Sequence, residues 1–408
     1  ADENIEVGEK AVEIPEWIIR SCSGWGRPGD FPDLCVSALL NSPEKDRDRL
    51  VGSIAEFHGA QRAIIKRLSA SGEKWLARRF ARESVNALNR QYPKQICFSP
   101  TLACQLDCPF CISAGLGVNT ENTSSFGSAR NLVDWARDTG VRRVCISGGE
   151  PTMYPEFRRL LEIIRSAGMG IVMATNGLGG RDEIDALVDV KAESVTLHLA
   201  DGVDSGENRK AFEASAAMLA SGGINTALRY NFTAPDDDPV RCVTRASELG
   251  LGEVRIAVPM PNAGRKNQYV RSGLLERFAR LIEECVHCGR ERGIRVGIAK
   301  PFPLCYLSAD VAGHFLADGS MVSNCQVAMQ GFSHNIVVYP DLRFSPCLAL
   351  NTKSECSILE MRNVRAAALT FRKQVESLMR RPFMEACLSC PLASGGRCVG
   401  ACLSYRID

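Results

Sequence analysis

From about residue 95, short apolar runs alternate with longer stretches in which apolar residues recur every three or four positions. QICFSPT, RRVCISGG, GIVMATNG, SVTLHLAD, NTALRYNF, EVRIAVPM and IRVGIA read as strands. Between them NLVDWARDTG, PEFRRLLEIIRSAG, DEIDALVDV, KAFEASAAMLASGG, PVRCVTRASELG and LLERFARLIEECVHCGRERG read as helices, several ending in a glycine suited to a C-cap. Strand–helix alternation at this spacing predicts right-handed βαβ units and a parallel sheet. Six or so units suit a barrel, open or closed, better than a Rossmann sheet. The expected class is therefore α/β, a partial (β/α)6 TIM-like barrel over residues 95–300, with its chemistry at the C-terminal strand ends.

Alternation within the strands predicts what lines that barrel. Thr196 and His198 share one face of the fourth strand, and Arg229 and Asn231 share one face of the fifth. Faces beneath helices are apolar, so these polar faces point inward. His198, Arg229 and Asn231 are thus the candidate catalytic residues. An inward guanidinium needs an anion, either a ligand carboxylate or a structural partner. For His198, a hydrogen-bonded core role competes with proton transfer.

Outside this region the pattern changes. Residues 1–94 predict a helical N-terminal extension of two or three amphipathic helices, preceded by the loop GWGRPGDFPD. Residues 301–408 form a loop-rich, cysteine-rich C-terminal region that needs something besides an apolar core to hold it.

Composition alters the picture at one point. The 408 residues carry a net charge of +2 with both signs interspersed, which argues against nucleic acid as a partner. There is neither a membrane-spanning apolar run nor a secretory pattern at the N-terminus, so a cytoplasmic protein without membrane contact is expected. Cysteine is the outlier, with 18 residues. Their clustering, C-x3-C-x2-C at Cys104, Cys108 and Cys111 and C-x2-C-x7-C-x3-C at Cys387, Cys390, Cys398 and Cys402, favours metal-binding thiolates over disulfides. Cys22, Cys35, Cys97, Cys242 and Cys356 stand alone as small buried hydrophobes, and Cys285 and Cys288 read as structural. Three thiols cannot close a tetrahedral site, but they can hold a [4Fe–4S] cube by three irons and leave the fourth open. A zinc knuckle uses similar spacing.

CQLDCPFC after the first strand, SGGEP after the second and ATNG after the third together resemble the radical S-adenosylmethionine (SAM) enzymes. In that family the open iron chelates SAM, whose reductive cleavage gives a 5′-deoxyadenosyl radical that abstracts hydrogen from an unactivated carbon. The resemblance implies that Cys104, Cys108 and Cys111 ligate the cluster, with Phe110 beside them. Ser147, Gly148, Gly149 and Glu150 would bind the amino group of SAM, and Pro151 would turn the chain away. Thr175, Asn176, Asp201 and Val258 would complete the SAM site. The fourth strand departs from the family, with His198 or Leu199 where a serine is usual.

The tail looks like the SPASM or shorter twitch extension, which holds one or two auxiliary [4Fe–4S] clusters. By that resemblance Cys325, Cys347 and Cys402, with Cys305, ligate one, and Cys387, Cys390 and Cys398 another. Leu342 replaces the glycine expected before Cys347, and no cysteine follows Cys402. Zinc ribbons are the alternative for these cysteines. The implied activity is hydrogen abstraction from a ribosomally made peptide, giving oxidation, crosslinking or thioether formation, with flavodoxin or ferredoxin as electron donor. A small-molecule or sugar substrate, dehydrogenated or epimerised, is the alternative, and a zinc-stabilised binding protein is the alternative of another class.

Overall fold

The computed structural model describes residues 36, 39, 40, 47, 51, 54, 61–74, 76–78, 80, 95–114, 116, 122–200, 202–317, 325, 327, 336–350, 352–390, 393 and 398–407. The chain divides into two compact units, residues 1–92 with 384–399 and residues 93–383 with 400–408. In the first, helix α1 (Gln61–Ala70) contributes Ile64 and Leu68 to a buried cluster with Leu39, Ile54, Leu76 and Phe80. Of the other helices expected before residue 94, positions 47, 51, 54, 74, 76–78 and 80 are described and helical, while the loop GWGRPGDFPD lies outside the described residues.

The second unit contains all seven expected strands: β1 (Gln95–Phe98), β2 (Arg143–Ile146), β3 (Gly170–Thr175), β4 (Ser194–Leu199), β5 (Asn225–Asn231), β6 (Glu253–Ala257) and β7 (Arg295–Ile298). They pair in chain order and all run parallel. Between them lie α2 (Phe126–Asp138), α3 (Phe157–Ser166), α4 (Arg181–Asp189), α5 (Gly206–Ser221), α6 (Arg241–Glu248) and α7 (Ala279–Glu291). In α3, Phe157, Leu160, Leu161 and Ile164 fall on one face and are buried, and the helix packs on β3. Ser125 caps α2 by accepting from the Ser128 amide.

The sheet does not close on itself. Beyond β1 it continues into β8 (Val337–Val338), parallel to β1, and β9 (Phe344–Ser345), antiparallel to β8. Leu342 lies in the β8–β9 turn with φ +61°, the left-handed conformation that favours glycine. The departure at Leu342 is thus one of residue type, since the backbone keeps the glycine-like geometry. The tail is more regular than its sequence pattern implies, with α8 (Ala309–Ala317), α9 (Val364–Thr370) and α10 (Arg372–Arg380). Helices of seven and nine residues, such as α9 and α10, are too short for a clear period.

Alternation sorts the two faces of the sheet. Ile96, Phe98, Val144, Ile146, Met173, Val195, Leu197, Leu228, Val254 and Ile256 are fully buried. The other set is small or polar, and register aligns it into layers. Cys97 sits beside Cys145, and His198 is flanked in turn by Arg229, Arg255 and Gly297. No helix among the described residues is long and apolar enough to cross a membrane.

Candidate cofactor centre

The cysteine loop continues β1, and the GGEP turn runs beside it as a continuation of β2. Phe98 O accepts from Ser147 N at 3.0 Å, Thr101 O from Gly149 N at 3.0 Å, and Ala103 O from Glu150 N at 2.7 Å. The two glycines permit this approach. A Cβ on Gly148, at φ +129°, would lie 2.7 Å from Thr101 O, and one on Gly149 would lie 2.2 Å from Ala103 O. Their first structural duty is therefore contact with the loop that carries Cys104.

Glu150 ties this turn to the end of β3. Its Oε1 accepts from Thr152 N (3.2 Å), Thr152 Oγ1 (2.8 Å) and Thr175 Oγ1 (2.7 Å), and its Oε2 accepts from Asn176 N (2.8 Å). Burial pushes this carboxyl above its ordinary range, opposed by those four donors. Pro151 opens a 3-10 turn, Pro151–Met153, that leads towards α3. Asn176 Oδ1 accepts from Leu178 N at 2.9 Å, while its buried Nδ2 has no partner in hydrogen-bond geometry among the described residues. That amide lies beside the Cys104 sulfur.

Two residues missed in the sequence clasp the far side of the cysteine loop. Asn262 Nδ2 donates to Ala114 O at 2.7 Å, and Asn267 Nδ2 donates to Phe110 O at 3.4 Å and to Met260 O at 2.9 Å. Both asparagines are buried, and Gln268 N adds a bond to Pro109 O at 2.8 Å. PNAGRKNQ carried a signal, since two asparagines beside Pro and Gly mark a side-chain-bonded turn.

Phe110 brings the loop to the inner face of β4, its ring centroid 5.7 Å from that of His198. His198 Nε2 and Asn231 Nδ2 are 2.9 Å apart, so with the amide donating, the ring proton sits on Nδ1. Burial, with Arg229 nearby, draws the imidazole down to about 3 and keeps it neutral. Arg229 makes no hydrogen bond or ion pair among the described residues, and its Nε is buried without a partner. Burial and neighbouring Arg255 draw it down to about 10. The structural ion pair open to Arg229 in the sequence is not formed among the described residues. Val258 is buried just after β6, and Asp201 lies outside the described residues.

Among the auxiliary candidates, Cys347 is pushed up to about 12 by burial and by the neighbouring sulfurs of Cys402 and Cys325. The structure thus brings these three together. Cys347 and Ile112, which follows Cys111 directly, pack against a buried cluster containing Met260, Ala349 and Cys402. Cys305 is exposed in the 3-10 turn Leu304–Tyr306. Cys387, Cys390 and Cys398 are half-buried in the other unit.

Two cysteines expected to stand alone do not. Cys97 shares a hydrogen bond with Cys145 and contacts Ser147 Oγ at 3.1 Å, because register aligns the two cysteines across β1 and β2. Cys242 lies 3.6 Å from Cys285, sulfur to sulfur. Cys288 accepts from Arg292 at 2.6 Å, which suits the structural reading of Cys285 and Cys288.

The donor set fits an iron–sulfur cluster. Cys104, Cys108 and Cys111 are half-buried soft ligands on one loop, held from both sides, and the Asn176 amide lies against the Cys104 sulfur. Burial raises the Cys104 and Cys111 thiols, so coordination rather than solvent would ionise them. A lone zinc ion needs its thiolates within about 2.3 Å of one point. Among the described residues no group of three or more His, Cys, Asp or Glu side chains is placed to hold a metal ion.

Comparison with known proteins bears on one segment of the chain. Residues 98–263 match the Radical SAM superfamily. The chain is 30% identical over 101 residues to the GTP 3′,8-cyclase of Chlorobaculum tepidum, covering 24% of this chain and 30% of that protein. It is 31% identical over 154 residues to the PqqA peptide cyclase of Xanthomonas euvesicatoria pv. vesicatoria, covering 34% of this chain and 41% of the relative. The chain thus spans less than half the length of these curated relatives. In fold it is similar to SuiB of Streptococcus suis, solved bound to precursor peptide SuiA, with TM-score 0.57 and 18% identity over 81% of this chain and 77% of that one. Residues 98–263 are a radical SAM superfamily domain, and that family implies a [4Fe–4S] cluster and SAM.

Proposed function

We propose that this protein is a radical SAM enzyme that abstracts hydrogen from an unactivated carbon of a ribosomally made peptide, leading to oxidation, crosslinking or thioether formation. The observation that carries the reading is the junction of three strand ends. Glu150 and the Gly148–Gly149 turn fix the cysteine loop, Thr175 and Asn176 in one arrangement. When bound, the cluster and SAM supply a 5′-deoxyadenosyl radical at the mouth of the lumen. Cys104, Cys108 and Cys111 would hold the cluster by three irons. Backbone groups of Ser147 to Gly149 and the Asn176 amide meet the SAM amino acid end. Phe110 and Val258 give apolar walls, and His198, Arg229 and Asn231 orient what enters the lumen beside them.

Cys325, Cys347 and Cys402, with Cys305, hold one auxiliary cluster, and Cys387, Cys390 and Cys398 a second, in a SPASM-like tail. Clusters held there would supply an acceptor for an electron, which suits net oxidation. A flavodoxin or ferredoxin supplies the first electron, and the setting is cytoplasmic.

A peptide is favoured by the likeness to a PqqA peptide cyclase and to a structure solved with a precursor peptide. The likeness to a GTP 3′,8-cyclase favours the second reading, a small-molecule substrate. Anaerobic protein with SAM and dithionite is expected to release 5′-deoxyadenosine, and Cys108→Ala to abolish it. Release at the wild-type rate from that variant would sink the cluster assignment. Adding cell extract separates the two substrates: stimulation lost on protease treatment supports the peptide, and stimulation surviving it supports the small molecule.

A further inference from the structure

The net charge of +2 conceals one concentrated stretch. Residues 362–381 carry six Arg and Lys against one acid, Glu376, a net of +5, so the rest of the chain is net −3. In α10 the buried residues are Val375 and Leu378, while Arg372, Lys373, Ser377 and Arg380 are exposed. Lys373, Ser377 and Arg380 follow one another at i, i+4 and i+7, on one helical face. With Glu376 and Arg381 they line an open hollow of about 430 Å³. Its one acid, Glu376, is already paired with Arg372 at 2.8 Å, so the face presents positive charge.

What lies beneath this face gives it a use. Helix α10 packs on the 3-10 turn Leu403–Arg406, where Arg406 Nη1 donates to Leu378 O at 3.2 Å and Arg381 Nη1 donates to Arg406 O at 3.0 Å. Cys402 directly precedes that turn. Tyr405, within it, packs with Cys347 and Ile112 against the buried cluster of Met260, Ala349 and Cys402, and Ile112 follows Cys111. One helix, about 10 Å across, thus stands between the cationic face and the turn that begins at Cys402. Electron transfer falls off steeply with distance, so a carrier has to sit where the cover is thin. Redox encounters bury little surface, and complementary charge steers them.

We propose that the cationic face of α10 is the docking surface for an acidic one-electron carrier protein. The reduced carrier gives up one electron there and leaves oxidised, with no atom or proton transferred. An acidic peptide fits the charge equally, but the packing of α10 on the Cys402 turn favours the carrier. The electron's destination, an iron–sulfur centre, rests on the redox reading above, whereas docking is read without turnover, so the two fail separately.

The probe is oxidised flavodoxin, an acidic carrier, with binding to the full chain under anaerobic conditions read by titration calorimetry. Affinity is expected to fall about tenfold from about 0.1 M to about 1 M salt, as the screening length shortens from about 10 Å to about 3 Å. Lys373→Glu with Arg380→Glu should weaken binding about tenfold at low salt. Arg181→Glu with Lys210→Glu, an equal charge change at exposed positions of α4 and α5, should leave it within about twofold. In the first pair, 5′-deoxyadenosine release driven by reduced flavodoxin should drop while release driven by dithionite holds. Equal weakening by both pairs, binding indifferent to salt, undiminished flavodoxin-driven release in the first pair, or no binding of either flavodoxin or ferredoxin would overturn the assignment. An oligoglutamate peptide that binds more tightly than flavodoxin, and loses that binding in the first pair, would overturn it in favour of an acidic peptide. If wild type binds flavodoxin but releases no 5′-deoxyadenosine with any reductant, the enzyme reading fails and the docking surface stands.

Discussion

At the ends of β1, β2 and β3 the polar groups are tied to one another, whereas Arg229 on the inner face of β5 is not. Glu150 has four donors on its two oxygens, and the cysteine loop is bonded along both edges. Across the lumen, Arg229 has neither a hydrogen bond nor an ion pair among the described residues. Rigid scaffolding on one side suits a cofactor that is always the same. Unpaired charge on the other side stores a cost that only an incoming ligand relieves, which suits selection of a substrate.

The sharpest way to break this contrast is on the tied side. In Gly149→Ala the new methyl would lie 2.2 Å from Ala103 O, a backbone atom that cannot move without the cysteine loop. We expect a loss of about 3–5 kcal/mol and failure to retain iron at that loop. Thermal melting and iron content per chain measure both. Wild-type iron content in this variant would show that the turn does not hold the loop.

On the untied side the expected sign is reversed. Arg229→Met should stabilise the ligand-free protein by about 1–2 kcal/mol, since an apolar side chain of similar length replaces a buried charge without a partner. The same variant should bind SAM or substrate more weakly. Urea unfolding and SAM titration, run together, separate the two effects. A destabilised variant would reveal a structural partner for Arg229 and erase the contrast.

Much of the fold was legible because its signals are local. The seven strands and the helices between them follow from period alone, and the inward placement of His198, Arg229 and Asn231 follows from alternation. Partnership was less legible. The meeting of Cys97 with Cys145 depends on the register of two strands, which no single segment encodes. Glu150 looks like a ligand contact within SGGEP, yet two of its donors, Thr175 and Asn176, come from another strand end. Asn262 and Asn267 reach back to a loop about 150 residues earlier, so their role exists only in the folded chain.

The smallest expected effect lies at His198, between the two sides. Its imidazole is held near 3 in the folded chain against 6.5 in the open, so the unfolded chain takes up a proton first as the pH falls. The stability this residue contributes is therefore complete above about 6.5 and is lost progressively as the pH drops towards 3. From neutral pH to about 5, wild type should lose about 1–2 kcal/mol more than His198→Gln, which keeps a polar group near Asn231 but cannot titrate. Melting temperatures of both proteins across that range test it under anaerobic conditions. Parallel curves would mean that water or a ligand reaches the ring and that His198 belongs with the solvated substrate side. A steeper wild-type curve places it on the dry side, held by Asn231 beneath Phe110 as part of the cofactor wall.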